Sequence, residues 1–150
     1  MGIWQGLLGK LGLGSAPDRQ PLRVFLLDDD VLRHEWFARR FSRDHLDTAV
    51  DPAGAFEMLS SNTYDAIFLD HDLLPEHYNS DVWDDERTGY AVAAWLAERP
   101  GSQAGATVVV HTRNADGALR MVELMRRAGL QVEHVPFPYL SPKIKNYWGR

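Results

Sequence analysis

Residues 24–30 read Val24-Phe25-Leu26-Leu27-Asp28-Asp29-Asp30, and residues 66–72 read Ala66-Ile67-Phe68-Leu69-Asp70-His71-Asp72. Each is a short apolar run that ends at once in acid. Continuous apolar runs of this length fit strands buried on both faces, as in a parallel sheet. A third run, Ala106-Thr107-Val108-Val109-Val110, ends in His111-Thr112. Parallel α/β sheets take ligands beyond the carboxyl ends of their strands. The three runs therefore aim carboxylates and imidazoles at one rim of the fold.

Outward from these runs, strand and helix patterns alternate. Val31 to about Ser42 reads as a helix capped by Asp30, with Leu32, Trp36, Phe37 and Phe41 on one stripe. Leu46–Val50 reads as a short strand. Asp51-Pro52 opens a second helix with a cap and a first-turn proline. Tyr64–Asp70 is the next strand, and Thr88–Glu98 a helix stopped by Pro100-Gly101. Ala106–His111 follows as a strand, then a helix from Asn114 or Asp116 to Ala128, closed by Gly129. Val132–Val135 is a fifth strand, and Ser141-Pro142 starts a short last helix. This alternation predicts an α/β fold with a mostly parallel sheet.

The 150 residues suit one domain with a real core. A net charge of −5 offers no general attraction to nucleic acid or anionic membrane. There is no cysteine, so thiol catalysis, disulfides and thiolate metal sites are excluded. No apolar run reaches transmembrane length, so no integral membrane contact is expected. With a poor signal-peptide pattern, this points to the cytoplasm. Residues 1–21 stand apart: glycines interrupt a helical spacing of Ile3, Trp4, Leu7, Leu8 and Leu11, and Gly6 breaks the myristoylation pattern. They read as a flexible Gly-rich extension before a domain over 22–150. The segment Leu73–Thr88 is long for a strand-to-helix connection. It holds Glu76, Asp81, Asp84, Asp85 and Glu86 with Tyr78 and Trp83, as either a solvated acidic loop or a lid.

The acidic pair Asp28-Asp29, the strand-ending Asp70, Gly89 at the next helix, Thr112 and Pro136-Phe137 together resemble the receiver domain of bacterial response regulators. The resemblance covers about residues 22–137. It implies a doubly wound, five-stranded parallel sheet of flavodoxin-like order 2-1-3-4-5. It further implies Mg²⁺ at Asp28, Asp29 and Asp70, with the Asp72 carbonyl completing the set, and Asp70 as phosphoacceptor. Receivers carry a lysine before the Pro-Phe pair; here Val135 stands there, with Lys143, Lys145 and Arg113 as nearby substitutes. The motifs Leu69-Asp70-His71-Asp72-Leu73 and Val110-His111-Thr112-Arg113-Asn114, with His34 and Gly89-Tyr90, are similar to a divergent receiver group associated with cyclic phosphates.

Two unit charges about 4 Å apart cost roughly 4 kcal/mol at an effective dielectric of 20. Carboxylates so crowded need raised pKa values or a cation. Oxygen ligands favour Mg²⁺, with Mn²⁺ or Ca²⁺ as alternatives. Opening a cyclic phosphodiester needs a base and an acid, and histidine suits both. His71 and His111 are expected to flank one phosphorus. His34, one turn into the first helix, leans toward the same crevice. Thr112, Arg113 and Asn114 are the expected phosphate-binding group. His45, His77 and His134 are read as structural. The leading expectation is a metal-dependent phosphoesterase acting on a cyclic or terminal phosphate of an RNA end or nucleotide. The alternative is a non-enzymatic receiver, phosphorylated at Asp70 by a histidine kinase or reduced to a partner-binding module.

Overall fold

The acid-ended runs form the centre of the sheet. A computed structural model describes residues 20–150. Five strands, β1 (Arg23–Leu27), β2 (His45–Ala49), β3 (Ala66–Leu69), β4 (Thr107–Val110) and β5 (Gln131–His134), lie parallel in the order β2-β1-β3-β4-β5. Helices α1 (Val31–Arg40), α2 (Pro52–Ser61), α3 (Gly89–Glu98), α4 (Ala115–Arg127) and α5 (Leu140–Trp148) flank them. This is the doubly wound α/β architecture expected of a receiver. Residues 1–19, most of the expected N-terminal extension, lie outside the described residues. Among the described residues, no helix is long and apolar enough to cross a membrane.

Local chemistry sets the boundaries. Asp30 caps α1, its carboxylate accepting from the Leu32 and Arg33 backbone N–H groups at 2.8 and 3.3 Å. Asp51 caps α2 through Gly54 N–H, with Pro52 at the first helical position. Of the two caps weighed for α4, Asn114 takes the place, accepting from Gly117 N–H at 2.9 Å. Gly129 follows α4 with φ of 91°, a left-handed turn that favours glycine.

Side chains alternate along a strand, which divides the core in two. Phe25, Leu27, Ile67, Leu69, Val108 and Val110 pack toward α2, α3 and α4. Val24, Leu26, Phe68 and Val109 pack against Phe37 and Phe41, Leu140 and Ile144, from α1 and α5. The register pairs Leu26 with Phe68 and Phe68 with Val109. Two residues further along each strand stand Asp28, Asp70 and His111. Backbone bonds carry the ladder on to them, from Asp28 N–H to Ala49, Asp70 N–H to Leu27 and His111 N–H to Leu69. The three side chains thus form one row, on the α1 side of the sheet.

The 73–88 segment is held largely by its own bonds. It contains a 3₁₀ turn over Pro75–Asn79. Buried His77 accepts from the Leu73 and Leu74 backbone N–H groups at 3.1 and 3.2 Å. Arg87 pairs with Asp85 at 3.0 Å and Glu76 at 3.4 Å. The loop is thus a structured element, though Asp81, Asp84 and Glu86 are exposed.

Candidate functional site: an acidic row at the sheet rim

One ligand atom each from Asp28, Asp70 and His111 lies within 4.8 Å of the others, and all three residues are buried. Asp28 Oδ2 accepts from His111 Nε2 at 2.7 Å and from Arg33 Nη1 at 3.3 Å, while Oδ1 accepts from Asp30 N–H at 2.9 Å. Asp70 Oδ1 accepts from His71 N–H at 2.8 Å, and its Oδ2 accepts from the same Arg33 Nη1 at 3.2 Å. One guanidinium nitrogen therefore bridges the two carboxylates. Gly89 makes room for this rim: a Cβ there would fall 1.7 Å from the Asp70 carbonyl oxygen.

The two carboxylates are tuned in opposite directions. Burial alone would raise Asp28, but the hydrogen bond and charge of His111, the Asp30 N–H and Arg33 outweigh it and hold the carboxyl below its ordinary range. Burial pushes Asp70 up to about 6; His111 and Arg33 pull it down, and Asp28 adds to the rise. Burial also raises Asp29, with Asp28 adding to the effect. Tyr78, in the 73–88 loop, has its hydroxyl pushed up to about 12 by burial and then by Asp29 and Asp70. The loop thus brings an aromatic hydroxyl within the field of the row.

The structure separates the two histidines that were expected to share a phosphorus. His71 is one residue past Asp70, so it points to the opposite, α4 face. Its ring lies where a Cβ on Gly117 would come within 2.7 Å. Both ring nitrogens are engaged there, Nδ1 with Asp72 Oδ1 and Nε2 with the Trp83 carbonyl, each at 2.7 Å. The Asp72 carboxylate is turned the same way and also accepts from Asn114 Nδ2 at 3.1 Å. Asp72 and Asn114 are therefore tied into a clamp beneath the acidic loop. His34 reaches the crevice only through backbone, pairing its Nε2 with the Asp28 carbonyl; its side chain lines an outer groove with Glu35, Phe41 and Thr48. Thr112 is buried, and its hydroxyl accepts from Asn114 N–H at 3.1 Å. Arg113 is exposed.

Arg33 is the member that the sequence reading missed. The signal was present: the N-terminal lean of α1 side chains, invoked for His34, applies equally to the residue before it. Of the expected lysine substitutes, Lys143 pairs with Glu133 at 2.7 Å. Val135, in the lysine's place, packs into the apolar cluster on the α1 side.

The donors present fit a hard divalent ion. Two carboxylates converge, and buried Asp29 Oδ1 has no hydrogen-bond partner among the described residues. Arg33 supplies positive charge at the same place.

The model of the "Cyclic-phosphate processing Receiver domain" family matches residues 23–127. The chain belongs to this family. Solved structures of receivers share the fold. A response regulator from Burkholderia pseudomallei, with a phosphorylated aspartic acid, calcium ion and citrate, aligns with a TM-score of 0.57 and 17% identity over 82% of this chain and 65% of that one. The chain thus spans about two thirds of that regulator. TrrA from Thermotoga maritima, in complex with Mg²⁺-BeF, gives 0.57 and 19% over 83% and 97%. A CheY-like receiver domain from Methylobacillus flagellatus gives 0.59 and 16% over 85% and 98%. No curated protein is similar enough to this chain to count as a relative. Within this receiver the row Asp28–Asp70–His111 sits at the strand ends where α/β sheets bind ligands.

Proposed function

We propose that this receiver is a metal-dependent phosphoesterase acting on a cyclic or terminal phosphate of an RNA end or nucleotide. The carrying observation is the buried row of Asp28, Asp70 and His111. The family's description supports the substrate class. Asp28, Asp29 and Asp70 would hold the ion, Mg²⁺ foremost, with Mn²⁺ or Ca²⁺ as alternatives; the Asp72 backbone carbonyl could add a ligand. Bound there, the ion would offset the negative charge that builds on the phosphoryl oxygens.

The other roles belong to the chain itself. His111, fully buried against Asp28, acts as a positioning residue: its Nε2 proton orients Asp28 and keeps that carboxylate ionised. Asp70 is the carboxylate assigned to meet the phosphorus, as ligand to the ion or as transient nucleophile. Arg113 is exposed on the loop after β4, and Thr112 and Asn114 shape the turn that carries it. His71 and His34 serve as anchors of the surrounding backbone.

Incubating the purified protein with Mg²⁺ or Mn²⁺ and a panel of 2′,3′-cyclic nucleotides and terminal phosphomonoesters tests this reading. Metal-dependent opening of the ring, abolished in Asp70→Asn, is expected. No turnover across the panel would remove the esterase reading.

A second reading is phosphoacceptance at Asp70 from a histidine kinase. The phosphorylated aspartate in the Burkholderia regulator favours it, and Val135 in the lysine's place counts against it. Under it, beryllofluoride with Mg²⁺ would load Asp70.

A further inference from the structure

A phosphoryl site needs a fixed cation facing the phosphate oxygens, and this chain lacks the lysine that receivers place before Pro136. We propose that Arg33 is the phosphate-binding cation of this receiver, tying Asp28 and Asp70 with one nitrogen while offering its remaining fork to the phosphoryl oxygens. The inference rests on the reading that the acidic row takes a divalent ion and a phosphate.

Donor arithmetic carries it. A guanidinium has five N–H donors in a rigid plane. Arg33 uses Nη1 for both Asp28 and Asp70, at 3.3 and 3.2 Å. Its Nε lies 3.8 Å from Asp30 Oδ2, an ion pair but beyond a hydrogen bond. Among the described residues, neither Nε nor Nη2 makes a hydrogen bond. The Nε–Nη2 edge is the geometry that accepts an oxyanion in bidentate fashion. The side chain is not sealed in, being 20% exposed. Its guanidinium carbon lies 5.3 Å from the centre of the Phe137 ring, which gives the planar group a wall to rest on. Phe137 is itself fixed, its N–H donating to the His111 carbonyl at 2.9 Å and its ring set edge-on to Trp36 at 5.0 Å. Cation, carboxylates and stacking wall thus belong to one unit.

The competing cations are placed differently. Lys143 is held by Glu133. Arg113 is exposed on the loop after β4 and has no hydrogen bond or ion pair among the described residues. A consequence separates Arg33 from it: Arg33 already neutralises the row, so it competes with an incoming divalent ion while favouring the phosphate that follows.

The test is calorimetric titration of Mg²⁺ alone, then of inorganic phosphate into Mg²⁺-saturated protein, for wild type, Arg33→Gln, Arg33→Lys and Arg113→Gln. Arg33→Gln should weaken phosphate by about 10–100-fold, the range of a lost charge-assisted hydrogen bond or two. The same variant should bind Mg²⁺ alone roughly 3–10-fold more tightly, because a competing charge is gone. Arg33→Lys restores charge without the fork and should recover phosphate binding only in part. Unchanged phosphate affinity in Arg33→Gln, a parallel fall in Mg²⁺ affinity, or loss confined to Arg113→Gln would each overturn the assignment. Should Arg33→Gln fail to give a native circular dichroism spectrum, Arg33→Lys decides: phosphate affinity equal to wild type rejects the fork. A wild-type protein that binds neither Mg²⁺ nor phosphate rejects the underlying reading of the site as well. Wild-type binding that survives in Arg33→Gln rejects only the role of Arg33.

Discussion

At the scale of the residue, Asp70 carries a marked electrostatic burden. Its carboxyl is raised from an ordinary 3.8 to about 6 by burial and then by Asp28. Between those values the folded chain binds more protons than the unfolded one, so stability falls as pH rises across that window. Asp70→Asn should therefore stabilise the metal-free protein at pH 7.5, by up to about 3 kcal/mol. The gain should shrink to nothing by pH 4, as urea denaturation at both pH values would report. A gain independent of pH would mean that the burden lies elsewhere. Asp28 behaves in the opposite sense, because His111 holds it low. His111→Ala should thus weaken Mn²⁺ binding by about 10–100-fold, the usual cost of losing a group that orients a ligand. Much at this scale was legible. Asp28, Asp70 and His111 could be named because each follows an apolar run directly. What the residue list lacked was register, which decides that His111 shares a row with Asp70 while His71, one step on, turns to the other face. Arg33 escaped because a cation three residues after a helix cap looks like an ordinary exposed arginine.

Among the elements, the loop of residues 73–88 adds one long-range latch to the bonds it makes within itself. His71 joins the Asp72 carboxylate to the Trp83 carbonyl, and Asn114 of the α4 cap grips the same carboxylate. Trp83 is further pinned by Tyr90, edge-on at 4.9 Å, and by Arg120, 4.4 Å above its ring. Replacing His71 with Ala removes both ring contacts and with them the tie between Asp72 and Trp83. Amide hydrogen exchange of the loop should rise by about tenfold or more, while β1, β3 and β4 stay protected. Equal exchange in wild type and variant would show that the loop's internal bonds and the aromatic contacts suffice to hold it. The helices and strands were readable because their caps are local: Asp30, Asp51 and Asn114 each bond within three residues. The loop was not, since its latch spans residues 71 to 114 and its internal pairs follow no period.

For the whole molecule, five parallel strands in the order 2-1-3-4-5 gather side chains from positions 28, 70 and 111 into one buried row. That order could be expected from the motifs, and it explains why residues so distant in sequence lie side by side at one rim. The same topology keeps His71, Asp72 and Asn114 beneath the loop, so the rim divides into an acidic chamber and a structural clamp. If the chamber is a metal site, calorimetric titration with Mn²⁺ at pH 7.5 should give one ion per chain. Asp28→Asn and Asp70→Asn should each lose about 100-fold or more in affinity, and His71→Ala should stay near wild type. Absence of binding by the wild-type protein, or binding that both aspartate variants retain, would contradict the assignment of this row as the functional centre.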